Sequence, residues 1–318
     1  MLVIAGHTIQ LSWSYPIYAF HLPLFFLITG MLINPEKMQH VGRFLAHKAR
    51  RLLIPWCVCL MISFVVTLMV PQWREGITLR GVVKDLYTLN TNFAQNSSLW
   101  YLPCLFFALI YFCLLRKIQR LGVALLFIAA MTLLLRQLLL YMHLPTARLP
   151  FKMDSALIGV FFVGIGFCGR DIIIKLVRVI PVYLLLLVAM LGCVLFVLNG
   201  VSNVSAYTFG KCSFAYYPIA FLGAFLVIAV SKLMPQKSII ARLLSWFGRN
   251  SLIIFCFQSL FVRGYLLIVE VTTGRQMVLY GSNPVVHQLG AFVAVAFVLS
   301  PLWAEGYNRI WRRWLTLA

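Results

Sequence analysis

Two histidines stand within the first 21 residues of a segment that is otherwise almost wholly apolar, MLVIAGHTIQLSWSYPIYAFHLPLFFLITGMLI. His7 follows Gly6 and precedes Thr8, and His21 comes two residues before Pro23. A neutral imidazole carries one donor and one acceptor and has an unperturbed pKa of about 6.5, so it can take a proton from a hydroxyl and return it. His7 reads either as such a proton-transfer group or as a histidine hydrogen-bonded at a helix end near the headgroups. His21 reads either as a site residue or as a partner for a freed backbone group, because Pro23 has no N–H to offer the carbonyl of Ala19.

Other polar groups interrupt the apolar runs. FLAHKARRLLIPW (44–56) sets Lys48, Arg50 and Arg51 against the start of a helix. They read as topogenic charge or as a phosphate-binding surface, since guanidinium forks and ammonium point charges both suit phosphate oxygens. Asp154, in RLPFKMDSALIGVFFVGIGF (148–167), stands at the mouth of a helix, where a carboxylate complements the helix dipole or serves a site. The chain has seven acidic residues and none lies deep in a predicted span, which counts against an ion-coupled transporter. No paired carboxylates of glycosidase type occur, and no Walker, HExxH or GxSxG motif.

The elements that must carry these residues follow from composition. Of 318 residues, 62% are hydrophobic and 11% charged, against about 25% charged in a soluble domain. So apolar a chain needs lipid as its solvent. The fold class is an all-α polytopic membrane protein, read as one membrane domain over residues 1–318. Apolar runs near 16–33, 52–70, 99–115, 121–142, 156–168, 179–198, 214–231, 250–269 and 287–304 predict nine spanning helices, each needing about 20 residues. The residues before Tyr15 read as a fragment of a tenth, so the first helix reads as truncated.

The net charge is +20, and 18 of the 27 Lys and Arg fall in clusters at 37–51, 116–120, 170–178, 232–249 and 309–313. These occupy every second connection. The positive-inside rule puts them and the C-terminus in the cytoplasm, and puts 71–98, 143–155, 199–213 and 270–286 outside. The charge therefore orients the chain in a bilayer and does not call for nucleic acid. The eight cysteines lie mostly inside apolar runs, without metal-site or disulfide spacing, and no metal is expected.

Several of these stretches together resemble one family. VIAGHT followed by FHLPLFFLITG is similar to the start of the acyltransferase family 3 membrane enzymes, with the fucose 4-O-acetylase-like branch as the nearest pattern. KARRLLIPW (48–56), LWYLPCLFF (99–107), LPFKMDSALIGVFFVGIGF (149–167) and FGRNSLIIFCFQ (247–258) resemble further family motifs in the same order. The resemblance implies a membrane O-acyltransferase that moves acetyl from acetyl-CoA onto a sugar hydroxyl of a cell-surface polysaccharide or glycolipid, in a bacterial inner membrane. It implies His7 as the catalytic histidine, as base or as acyl carrier. Lys48, Arg50 and Arg51 would bind the phosphates of acetyl-CoA. Trp100 would stack on a sugar ring, its alternative being an interfacial anchor. Asp154 would accept a sugar hydroxyl, and His21 would line the site. Two departures stand out: the family's basic residue upstream of the histidine would fall before Met1, and Gln258 stands where relatives often carry His. The rival readings are a transporter or flippase for a polar or lipid-linked solute, and an inactive relative.

Overall fold

The computed structural model describes residues 1–8, 15–142, 149–235, 237–277 and 283–310. In chain order its helices are α1 (Leu2–Thr8), α2 (Tyr15–Met31), α3 (Val41–Met69), α4 (Pro71–Arg74), α5 (Leu79–Thr88), α6 (Tyr101–Leu115) and α7 (Leu121–Tyr141). There follow α8 (Met153–Val179), α9 (Val182–Asn199), α10 (Tyr216–Leu233), α11 (Ile239–Arg249), α12 (Ser251–Thr273), α13 (Val285–Val293) and α14 (Ser300–Ile310). Among the described residues, eight helical stretches are long and apolar enough to cross a membrane, and α2 is a shorter apolar helix beside them. The chain is an all-α polytopic membrane protein. Arg148, Arg312, Arg313 and the C-terminus, which entered the charge argument, lie outside the described residues.

Helix α2 is the centre of the bundle, packed between α8 and α10 and touched by α1. Its closest neighbour is α8, and two glycines explain why. A Cβ at Gly30 would overlap the Val163 carbonyl oxygen, and one at Gly166 would overlap that of Leu27. Between membrane helices apolar burial gives no driving force, so close backbone approach at small residues supplies the van der Waals contact. Phe26 and Leu27 are fully buried there, together with Phe162 and Val163 of α8. By contrast α9 turns Leu186, Leu187, Met190, Val194 and Val197 outward, as a helix at the lipid boundary should.

Three features differ from the sequence expectation. Lys48, Arg50 and Arg51 are not in a loop: α3 begins at Val41, so they ride on its first turns. Likewise Arg170, Lys175 and Arg178 belong to α8, which continues to Val179. Long basic side chains extend a helix past the apolar layer at little cost, because their heads stay in water. In the third case, part of the 71–98 connection is not peripheral. Leu89, Thr91, Phe93, Ala94, Asn96 and Ser98 are buried, as are Leu99 and Trp100 just beyond it. Asn96 Nδ2 donates to Ser63 Oγ of α3 at 2.9 Å and to the Cys256 carbonyl of α12 at 2.6 Å. The segment thus dips between two spans. Its polar residues read as an outside loop because sequence shows polarity and not partners. Irregular backbone survives at that depth only when protein or a watered cavity surrounds it. Leu89, Thr91 and Gln95 take left-handed φ of 53°, 51° and 51°. The Thr91 hydroxyl, donating to the Asn96 carbonyl at 2.7 Å, helps hold that costly shape.

The 199–213 connection carries a small antiparallel hairpin, β1 (Ser202–Asn203) and β2 (Thr208–Phe209), with Ser202 opposite Phe209 and Asn203 opposite Thr208. It folds inward, burying Val204, Tyr207 and Phe209. Asn199 anchors its base, donating to the Phe209 carbonyl at 2.9 Å and accepting from the Cys212 N–H at 2.7 Å.

Candidate active site

Both early histidines border one tyrosine. Tyr18 sits three residues before His21 on α2, so the two share a helix face. The Tyr18 ring meets His21 edge-on at 5.5 Å between centroids and meets His7 edge-on at 6.1 Å. Its phenol donates to the Gly6 carbonyl at 2.5 Å, clasping α1 immediately before His7. His7 is half-buried, and Thr8 beside it turns its hydroxyl back to the Ile4 carbonyl at 2.9 Å. His21 is buried, and its Nδ1 lies 2.6 Å from the Ile17 carbonyl. A carbonyl only accepts, so Nδ1 carries the proton of the neutral ring and Nε2 carries the lone pair. The partner is thus Ile17, not the Ala19 carbonyl that Pro23 leaves without a helical donor.

A second group gathers at the mouth of α8. Trp100 is buried, with 6% of its surface exposed, and the Lys152 ammonium stands 5.6 Å from its ring centroid. Lys152 is itself buried and donates to the Ser205 carbonyl of the hairpin at 3.0 Å. Asp154, in the first turn of α8, is 4% exposed, and Ser155 donates to the Val204 carbonyl at 3.0 Å. Phe151 and Lys152 both have φ of 56°, the left-handed turn that swings the lysine inward at the helix start. Replacing Lys152 by Ala is expected to cost about 1.5–3 kcal/mol, the worth of a hydrogen bond to a charged group. It should also loosen the hairpin, read as faster protease cleavage within residues 199–213 of the membrane-embedded protein.

Helix α2 joins the two groups. One turn past His21, Phe25 lies 6.2 Å from Tyr101, and Phe26 lies 5.1 Å from it. Tyr101 in turn meets Trp100 edge-on at 6.2 Å. Tyr101 therefore links the helix turn that follows His21 to Trp100. The basic residues of α3 are elsewhere. Lys48 is half-buried with its ammonium 5.5 Å from the Phe44 ring, and Arg50 and Arg51 are exposed. They follow the C-terminal end of α2, while His21 precedes that end by ten residues, a rise of about 15 Å.

A family profile, described as an acyltransferase domain, matches residues 1–315. The chain belongs to acyltransferase family 3. No curated protein and no solved structure matches it. As a member of this family the chain is a membrane acyltransferase, spanning the bilayer several times. Two residues of the candidate site escaped the sequence reading. Tyr18 could have been found from its three-residue spacing to His21. Lys152 had only its closeness to Asp154 to mark it, and sequence assigned it to an outside loop.

Proposed function

We propose that this acyltransferase moves acetyl from acetyl-CoA to a sugar hydroxyl of a cell-surface polysaccharide or glycolipid, with His7 as the proton acceptor, in a bacterial inner membrane. The observation that carries the reading is the placement of His7, half-buried and held against Tyr18 beside a second imidazole, in a chain of this family. A sugar hydroxyl is a weak nucleophile until a base takes its proton. His7 would accept that proton as the oxygen attacks the thioester carbonyl. The carbon–sulfur bond then breaks, and the proton returns to the departing thiolate, giving the acetyl ester and free CoA. In the variant route, the His7 ring attacks the thioester carbon first, the carbon–sulfur bond breaks to release CoA, and the sugar oxygen then takes the acetyl group from the acyl-imidazole, freeing the ring.

Trp100, Lys152 and Asp154 form the acceptor side in this reading. Because Lys152 stands at the Trp100 ring, a sugar would meet an aromatic edge, an ammonium and a carboxylate together. Lys48, Arg50 and Arg51 form the donor side, where cations suit the phosphates of CoA. Changing both Lys48 and Arg51 to Ala is expected to raise the KM for acetyl-CoA about three- to tenfold, as losing one or two partly exposed charge contacts should. The kcat should change little, and the effect should shrink as salt rises.

The test of the function is transfer of labelled acetyl from acetyl-CoA to isolated surface glycans by membranes containing the protein. Label in an alkali-labile glycan ester supports the reading. Flux of a solute across vesicles without acetyl-CoA, and no ester, would replace it with the transporter.

A further inference from the structure

A cluster of polar side chains lies between α3, α12 and the buried 89–100 segment, whose last residue is Trp100. Asn96 and Gln258 are 0% and 1% exposed. Gln258 Nε2 donates to Ser98 Oγ at 3.3 Å, and the Ser98 hydroxyl is hydrogen-bonded to that of Ser259. The bond from Asn96 to the Cys256 carbonyl fixes its amide orientation, because that carbonyl can only accept. Asn96 Oδ1 is then a buried acceptor with no hydrogen-bond partner among the described residues, and with Gln258 Nε2 donating to Ser98 so is Gln258 Oε1. A buried polar atom left unpaired costs about 1–3 kcal/mol, and more in a lipid-surrounded core. Two such acceptors together mark a place built for a donor.

Two further placements say what kind of ligand reaches it. Pro55, Cys59, Ser63 and Thr67 form the buried stripe of α3, and Lys48 lies within about 60° of Ser63 around the same helix. Fifteen residues separate them, a rise of about 22 Å. One face of α3 thus offers a cation near one end and the amide cluster deep in the bundle. On α12, Ile254 and Val262 flank Gln258 at four-residue spacing and share an apolar cluster with Ile4, three residues before His7. Gln258 is therefore on the α12 face that also carries two members of this cluster.

We propose that the Asn96 and Gln258 amide oxygens form a subsite for N–H or O–H donors of an extended polar substrate. Resting on the acyl-CoA reading above, the ligand is the two-amide pantetheine arm of the donor or a hydroxyl of the acceptor. The full-length protein in lipid nanodiscs is titrated with CoA and with adenosine 3′,5′-bisphosphate, which has the phosphorylated head without the arm. Gln258→Met should weaken CoA binding about tenfold and leave the head fragment unchanged, which also reports a folded protein. Ser98→Ala, which removes the hydroxyl that orients the Gln258 amide, serves as the second variant if the Met protein does not fold. Unchanged CoA binding with a raised KM for the glycan acceptor would assign the donor to the acceptor hydroxyl. Wild-type affinity for CoA and wild-type KM for the acceptor in both Gln258→Met and Ser98→Ala would overturn the subsite. A wild-type protein that binds no CoA at all would instead sink the acyl-CoA reading.

Discussion

Replacing His7 by Ala is expected to lower acyl transfer about 10²- to 10⁴-fold, the range a positioned proton acceptor contributes. The protein should still reach the membrane and melt near the wild-type temperature, because His7 is only half-buried. His7→Gln should be nearly as slow, since an amide can hydrogen-bond but cannot take the hydroxyl proton. Tyr18→Phe separates position from chemistry. It keeps the ring beside both imidazoles and removes the bond to the Gly6 carbonyl, so it should cost about 1 kcal/mol of order at α1. Its rate should fall far less than that of His7→Ala. Steady-state kinetics with both substrates varied separate the two routes. A sequential pattern means direct attack on the thioester, and a ping-pong pattern with trapped acetyl on the protein means an acyl-imidazole. Transfer by His7→Ala at the wild-type rate would remove His7 from the chemistry.

The second large effect lies in the α2–α8 crossing. Gly30→Ala and Gly166→Ala should each destabilise the protein by about 1–3 kcal/mol, the usual cost of overpacking a tight contact. The added Cβ meets the carbonyl oxygen of the facing helix, Val163 in one case and Leu27 in the other. Backbone cannot swing aside as a flexible side chain can, so the helices must part. Because α2 carries Tyr18 and His21 while α8 carries Asp154 and begins directly after Lys152, parting them should lower activity as well as stability. Gly192→Ala on α9 is the control. Nothing lies within 4 Å of the Cβ it would gain, and alanine in place of a helical glycine should be neutral or stabilising. Thermal unfolding in detergent, with activity after reconstitution, reads both quantities. Equal melting temperatures for Gly166→Ala and Gly192→Ala would show that the crossing is looser than its geometry says.

The membrane class was legible because it is a property of composition. Runs of apolar residues with charge between them leave no other solvent but lipid, and the nine predicted runs each fall on an apolar helix. Where those helices stop was less legible. Lys48, Arg50, Arg51, Arg170 and Arg178 are charged but helical, since a helix keeps its hydrogen bonds whatever its side chains do. The 89–100 segment is the converse case. Its Asn, Ser and Thr residues carry an outside loop's composition, yet their partners Ser63 and Cys256 are 33 and 160 residues away in the chain.

By itself the sequence determined the solvent, the helices, the family and the residue types able to transfer a proton or hold a phosphate, because each is written in local composition and spacing. Only the tertiary structure decided that Tyr18 stands between His7 and His21, that Lys152 turns in to Trp100, and that Asn96 and Gln258 share a buried cluster. The physical reason is that, Tyr18 and His21 aside, these contacts join residues of different elements. They are set by how closely helices cross, and here by two glycines that let α2 and α8 touch backbone to backbone.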